Sequence, residues 1–324
     1  MPIIYPSSYR RPPRHYFNGH FETVIPSIFR KIGDVKYLRE RIATPDGDFL
    51  DIDWSTIEHS NKLVIISHGL EGDSQRHYVT AQVKLLNQQG FNVLAWNNRS
   101  CSGEMNLTKV LYHHGASHDL AAVVDHVILT KPNYNEIYLT GISMGGAQTL
   151  KYLGEQGDKL PTQICAAAVY STPCNLADSA ATLKLPANFF YKRKFLSKLK
   201  VKMLAKAKQF PGLIDIELLG KVKDFDVFDD QFTAKLHGFE DGQDFYQSVS
   251  ADNWMEQIQV PTLIMNAKND PLLADRCYPV ALANQHPHIF LEVPKRGGHT
   301  GFVLAGEEFT WAEIRIYHFL RTFG

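Results

Sequence analysis

Tyr138-Leu139-Thr140-Gly141-Ile142-Ser143-Met144-Gly145-Gly146 decides how the rest of the chain is read. Glu136 to Thr140 is a short apolar run of strand length. Beyond the glycines, Ala147 to Glu155 has helical spacing, with Leu150, Tyr152 and Leu153 apolar and Lys151 and Glu155 polar. A serine with glycine two residues before and two after it, set between a strand and a helix, marks a very tight turn. Only glycine fits at those two places. The turn lifts the serine hydroxyl clear of the sheet and sets it at a helix N-terminus, where developing negative charge is favoured.

Working outward, the same alternation of strand and helix recurs. Residues 1–35 are rich in Pro and Arg, weakly periodic, and read as an extended arm over the body. Tyr37 to Ala43 and Phe49 to Ser55 alternate around Pro45-Asp46-Gly47-Asp48, which predicts a β-hairpin. Leu63 to Ser67 is a continuous apolar run, as for a buried parallel strand, and His68-Gly69-Leu70-Glu71-Gly72 follows it. A helix over about 78–88, a strand over Phe91 to Trp96, the polar loop Asn97 to Gly103 and a helix over Asp119 to Leu129 lead to the central stretch. Ile164 to Tyr170 is the next strand.

The alternation then stops, and residues 174–245 are expected to be an inserted cap. It resumes with strands over Pro261 to Asn266 and His288 to Val293, and helices over Asp275 to Gln285 and Glu307 to Arg321. The expectation is one α/β domain over 1–324: a mostly parallel sheet with helices on both faces and a helical cap. In such sheets ligands sit beyond the C-terminal strand ends.

A serine needs a base to take its proton, and the base needs an orienting partner. Asn269-Asp270-Pro271 follows one late strand, and Gly297-Gly298-His299-Thr300-Gly301 follows the last. The order Ser, Asp, His at three strand ends fits a nucleophile elbow with its acid and base. Ser143 is therefore the expected nucleophile, His299 the general base and then acid, and Asp270 the carboxylate that orients the imidazole. Two aimed backbone N–H groups are needed for the oxyanion. Met144, next to the nucleophile, and Leu70, in the loop after the Leu63–Ser67 strand, are the expected donors.

Eight segments resemble the YheT-like branch of the α/β-hydrolases. They are Asn18 to Thr23, Thr44 to Phe49, His68 to Gly72, Asn98 to Glu104, the elbow, Leu236 to Phe239, Asn269 to Pro271 and Gly297 to His299. The resemblance spans nearly the whole chain. It implies hydrolysis or transfer of acyl groups from carboxylic esters, lipid-like ones among them, with no cofactor. The family usually has Gly at Ser100, Leu-Gln at Phe21-Glu22 and Asn at Ala147; none of these touches the three expected catalytic residues.

Composition narrows the partners. Lys and Arg together number 34, as do Asp and Glu, so net charge argues for no nucleic acid. Cys101, Cys165, Cys174 and Cys277 form no CxxC pair, which favours a reducing, cytoplasmic setting, with Cys165 read as a small core residue. Met1 to Tyr16 lacks the apolar core of a secretory signal, and no apolar run approaches the roughly 18 residues of a spanning helix.

Lys184 to Lys208 carries nine Lys or Arg and no acid, with Leu196, Leu199, Met203, Ala207 and Phe210 near helical spacing. This reads as a cap helix with one face over the active-site mouth and a solvated basic face; peripheral contact with anionic lipid is the alternative. His113, His114 and His118 invite a metal reading, but loop and helix-cap histidines are commoner, and no metal is expected. The sequence leaves two rivals to a serine esterase. One is an acyltransferase that passes the acyl group to an alcohol. The other is a non-catalytic binding protein of the same fold.

Overall fold

A computed structural model describes residues 3–10 and 12–323. Eight strands form one sheet: β1 (Leu38–Ala43), β2 (Phe49–Ser55), β3 (Lys62–Ser67), β4 (Asn92–Asn97), β5 (Glu136–Ile142), β6 (Ile164–Tyr170), β7 (Thr262–Met265) and β8 (Ile289–Glu292), in the order β1-β2-β4-β3-β5-β6-β7-β8. The β1–β2 hairpin and the β2–β4 pair are antiparallel, and every pair from β4 through β3 to β8 is parallel. The α/β-hydrolase architecture expected from the alternation is the one observed.

Side-chain alternation splits the core between the two faces of the sheet. Leu63, Ile65, Leu139 and Val169 point to one face, packed by α3 (Ser117–Thr130) and α4 (Met144–Gln156). Val64, Ile66, Tyr138 and Ala168 point to the other, packed by α2 (His77–Gln88) and α12 (Trp311–Leu320). This explains why β3 reads as an unbroken apolar run.

Between β6 and β7 the chain is almost wholly helical: α5 (Leu176–Leu183), α6 (Phe189–Gln209), α7 (Ile216–Lys221), α8 (Phe225–Phe228), a π-helical turn (Asp229–Ala234), α9 (Lys235–His237) and α10 (Gly242–Val249). Leu196, Leu199 and Met203 of α6 face inward, on a small core shared with Phe225, Phe228 and Phe232. The basic residues around α6 are largely engaged. Lys184 pairs with Asp226, Lys192 with Asp224 and Lys202 with Glu71. Lys200 donates to the Val222 carbonyl, and the buried Lys206 to those of Asn106 and Thr108. Arg193, Lys194 and Lys208 remain on the exposed side. Among the described residues no helix is long and apolar enough to cross a membrane.

Three segments differ from the sequence expectation. The arm contains α1 (Gly19–Phe29), capped by the Asn18 side chain; residues 1, 2 and 11 of the arm lie outside the described residues. Its buried positions are Gly19, Glu22, Thr23 and Pro26, while Phe21, Val24 and Ile28 face outward, so no apolar stripe announces it. Pro279 breaks the helix expected over Asp275 to Gln285 into a 3-10 turn and α11 (Val280–Gln285). The closing helix begins only at Trp311, where Thr310 and Glu313 form a capping box. Cys165 is only half-buried, while Cys174 and Cys277 are buried.

The loop after β4 is pinned by a buried guanidinium. Arg99 hydrogen-bonds Asp119 of α3 at 2.7 Å and Asp46 of the hairpin turn at 2.6 Å. Burial pushes the Asp48 carboxyl up, but hydrogen bonds from Thr108, Asn106 and the Leu107 and Phe49 amides outweigh it and hold it at about 2. Ser100 sits at φ +60°, which accounts for glycine at this place in the family; its hydroxyl donates to Asn106 at 2.6 Å in partial compensation.

Candidate active site

Ser143 lies between β5 and α4 at φ +55° and ψ −121°, a backbone conformation strained for a residue with a side chain. The glycines around it are required by contact. A Cβ on Gly141 would overlap the Gly145 carbonyl, one on Gly145 the Ser67 carbonyl, and one on Gly146 the Thr172 hydroxyl. The turn can be this sharp only because α4 starts against the end of β3.

Ser143, Asp270 and His299 come together beyond the C-terminal ends of β5, β7 and β8. The Ser143 hydroxyl lies 2.9 Å from His299 Nε2, and His299 Nδ1 lies 2.9 Å from Asp270 Oδ2. With the proton on Nδ1 donated to Asp270, Nε2 is free to accept from Ser143. The Asp270 side chain is fully buried, and its second oxygen accepts the Leu272 amide at 2.9 Å. This fixes the carboxylate and leaves it one direction in which to act.

α1 holds the two loops that carry the acid and the histidine. The Glu22 carboxylate accepts the Gly297 amide at 2.5 Å, Asn269 Nδ2 at 3.0 Å and Arg296 Nε at 2.6 Å. Thr23 Oγ1 accepts the His299 amide at 2.8 Å and donates to the Gly19 carbonyl at 2.6 Å. A Cβ on Gly19 would overlap the Asn269 carbonyl, so glycine is required for the helix to dock. Sequence reasoning noticed this segment as family-specific but did not see its task. The available signal was Asn18 before Gly19 as a helix cap, with polar residues at i, i+4 and i+5.

The two expected oxyanion donors, Met144 and Leu70, both belong to segments next to the serine. Met144 opens α4, and its amide has no intrahelical partner. Leu70 lines the same pocket as Ser143, and Gly69 lies so close that a Cβ there would sit 3.2 Å from that of Ser143. His68 stiffens the loop: Nδ1 donates to the Gly69 carbonyl at 2.8 Å and Nε2 accepts the Asn98 amide at 3.0 Å. Burial holds its imidazole neutral, lowered to about 4. Glu71, at φ +55°, ties the loop to the helices above through Lys202 at 2.8 Å and accepts a short hydrogen bond from Tyr112.

From Ser143 and His299 a pocket opens under the helices that follow β6. Leu70, Leu199, Met203, Phe228 and Leu272 are among its apolar lining, and His113, His114 and His237 also reach it. The empty space, counting the mouth, is about 980 Å³. Among the described residues no group of His, Cys, Asp and Glu is arranged to hold a metal ion.

Comparison with known proteins agrees with this fold. A family model described as serine aminopeptidase, S33, matches residues 58–219. The YheT protein of Escherichia coli (strain K12), which bears a provisional esterase name, is 30% identical over 321 residues, covering 96% of this chain and 93% of that one. A phospholipase ABHD3 of Mus musculus is 30% identical over 291 residues, covering 87% and 70%. Among solved structures, the Pyrococcus furiosus esterase Pf2001 shares the fold at a TM-score of 0.59 and 20% identity, over 91% of this chain and 96% of that one. An elbow serine in a mostly parallel sheet and a full-length relative at this identity lead to one assignment: the chain belongs to the YheT-like branch of the α/β-hydrolase superfamily.

Proposed function

We propose that Ser143, His299 and Asp270 act as a catalytic triad that cleaves lipid-like or medium-chain acyl esters through an acyl-enzyme. Carboxylic ester hydrolysis is the reaction class of this chain, as for relatives named esterase, phospholipase and lipase. The observation that carries the finer reading is the unbroken relay of two 2.9 Å hydrogen bonds from Ser143 through His299 to a buried carboxylate, at the mouth of a largely apolar pocket.

In this reading the Ser143 oxygen attacks the ester carbonyl while His299 Nε2 takes its proton. The charge that develops on the carbonyl oxygen is met by the Met144 and Leu70 amides, each worth roughly 3–4 kcal/mol of transition-state stabilisation. Asp270 stabilises the imidazolium without taking its proton. His299 then protonates the leaving alkoxide, so the alcohol departs and the acyl group stays on Ser143. Water enters, gives a proton to His299 and releases the acid. Apolar side chains over Ser143 suit an acyl chain, and the helices after β6 serve as the cap that covers it.

A panel of esters of increasing chain length, run on wild type and Ser143→Ala, tests the mechanism. The substitution is expected to lower kcat by about 10⁶ and to abolish labelling by a fluorophosphonate probe. Equal rates in both proteins would remove Ser143 from the reaction.

A further inference from the structure

The substrate pocket has a second character that the triad does not use. One side of it is lined by His113, His114, Asp229, Thr233, His237 and Tyr246. An acyl chain needs none of these polar groups. Asp229, Thr233 and His237 recur every four residues along the π-helical turn and α9, which turns all three toward the pocket. π-Helical turns interrupt regular helices at a cost in stability and recur at functional sites.

The hydrogen bonds of this wall are half-made. Asp229 accepts from Thr233 at 2.7 Å and from the Tyr246 hydroxyl at 2.8 Å. His113 is 8% exposed, and its Nδ1 accepts the Gly115 amide at 3.1 Å, so its proton sits on Nε2. That N–H has no acceptor among the described residues, and neither the His114 nor the His237 ring has a hydrogen-bond partner there. The rings of His113 and His237 stand 4.4 Å apart. The His113 carbonyl accepts Gln148 Nε2 at 3.1 Å, which ties this wall to α4, the helix that Ser143 begins.

Burial lowers the His114 and His237 imidazoles to about 4 and pushes His113 well below its usual value, so near neutral pH these three rings present uncharged donors and acceptors. Burial raises the Asp229 carboxyl to about 6, against the pull of Thr233 and Tyr246, so it is largely ionised there and disfavours an anion.

We propose that this wall is a second binding subsite, for an uncharged hydroxyl group carried by the ester, with His113, His114 and His237 as its free hydrogen-bonding groups and Asp229 as the carboxylate of the same wall. The proposal rests on the esterase reading and narrows its substrate. A hydroxyl both donates and accepts, and so can satisfy an imidazole N–H and a neighbouring ring nitrogen or carboxylate at once. Two sources share this chemistry: a polyol on the alcohol side of the ester, and a hydroxylated acyl chain.

The test compares three esters on wild type, His237→Phe and Asp229→Asn: 1-octanoylglycerol, ethyl 8-hydroxyoctanoate and ethyl octanoate. The reading is the ratio of kcat/KM for each hydroxylated ester to that for ethyl octanoate, which does not depend on how much of a variant folds. Wild type is expected to favour one hydroxylated ester by about tenfold, the effect of one or two hydrogen bonds, and both variants to bring that ratio close to one. Which ester is favoured assigns the subsite to the alcohol or the acyl side. Hydrolysis of ethyl octanoate and fluorophosphonate labelling of Ser143, with neither hydroxylated ester preferred or with the preference intact in both variants, would overturn the subsite and leave the esterase standing. No hydrolysis of any of the three, with no labelling, would remove the esterase reading and the subsite with it.

Discussion

Replacing Glu22 by alanine tests whether α1 holds the catalytic loops in place. The carboxylate is 1% exposed and serves three donors, the Gly297 amide, Asn269 Nδ2 and Arg296 Nε. Each donor left buried without an acceptor costs about 1–3 kcal/mol. Arg296 is partly exposed and can regain water, so the loss comes mainly from Gly297 and Asn269, about 2–6 kcal/mol in all. For a chain of this size, at roughly 1.5 °C per kcal/mol, that lowers Tm by roughly 3–9 °C. The effect on chemistry is separate. Gly297 and Asn269 lie within two residues of His299 and Asp270, and a misplacement of about 1 Å between reacting groups costs about 10² in rate. No residue of α1 lines the pocket, so KM should change little while kcat falls. Glu22→Gln keeps an oxygen for Gly297 but turns an amide N–H toward one of the other donors, and should fall between wild type and Glu22→Ala in both measurements. Thermal melting and steady-state kinetics on a medium-chain ester read the two effects apart. A Glu22→Ala protein with Tm unchanged and kcat within about threefold of wild type would refute the reasoning.

Asp270→Asn should leave the fold intact and lower kcat by about 10⁴, because the amide no longer holds the His299 proton on Nδ1; steady-state kinetics on folded protein check this. Gly145→Ala should yield insoluble protein or one destabilised by more than about 3 kcal/mol, since the new methyl meets the backbone of β3 and nothing flexible can yield; soluble expression and melting would show it. Stability should fall as pH drops from about 6.5 to 4. Burial lowers His68, His77, His114 and His237 from 6.5 to about 4, so in that window the unfolded chain binds protons that the folded one refuses. Asp229, raised by burial from 3.8 to about 6, acts in the opposite sense below about pH 6, one group against these four and His113 and His288, which burial also lowers. A melting temperature flat or rising from pH 7 to 4.5 would contradict this balance.

Local rules carried much of the fold. The apolar runs of β3 and β6, the turn after β1 and the glycines around Ser143 each declare their structure over a few residues, and strand ends then locate the loops of Asp270 and His299. Pro279 breaks its helix by a local rule; the other failures are of one kind. α1 turns polar residues inward because it packs on loops rather than on the sheet, so its periodicity is inverted. The basic stretch of α6 reads as a solvated face, yet Lys206 is buried and Lys202 pairs with Glu71 across the chain. The histidine and aspartate wall of the pocket joins residues over 100 positions apart, and no spacing rule links His113 to Asp229. What sequence left dark is what tertiary contact alone decides.

The clamp by α1 also sets the order of events at the ribosome. Its partners at Gly297 and His299 are 275 and 276 residues downstream and are made long after it. A nascent chain can complete the elbow and the helices above it, yet α1 has no histidine loop to clamp until residues 297–299 emerge. Esterase activity should therefore appear only once the segment carrying Gly297 and His299 has emerged and docked on α1.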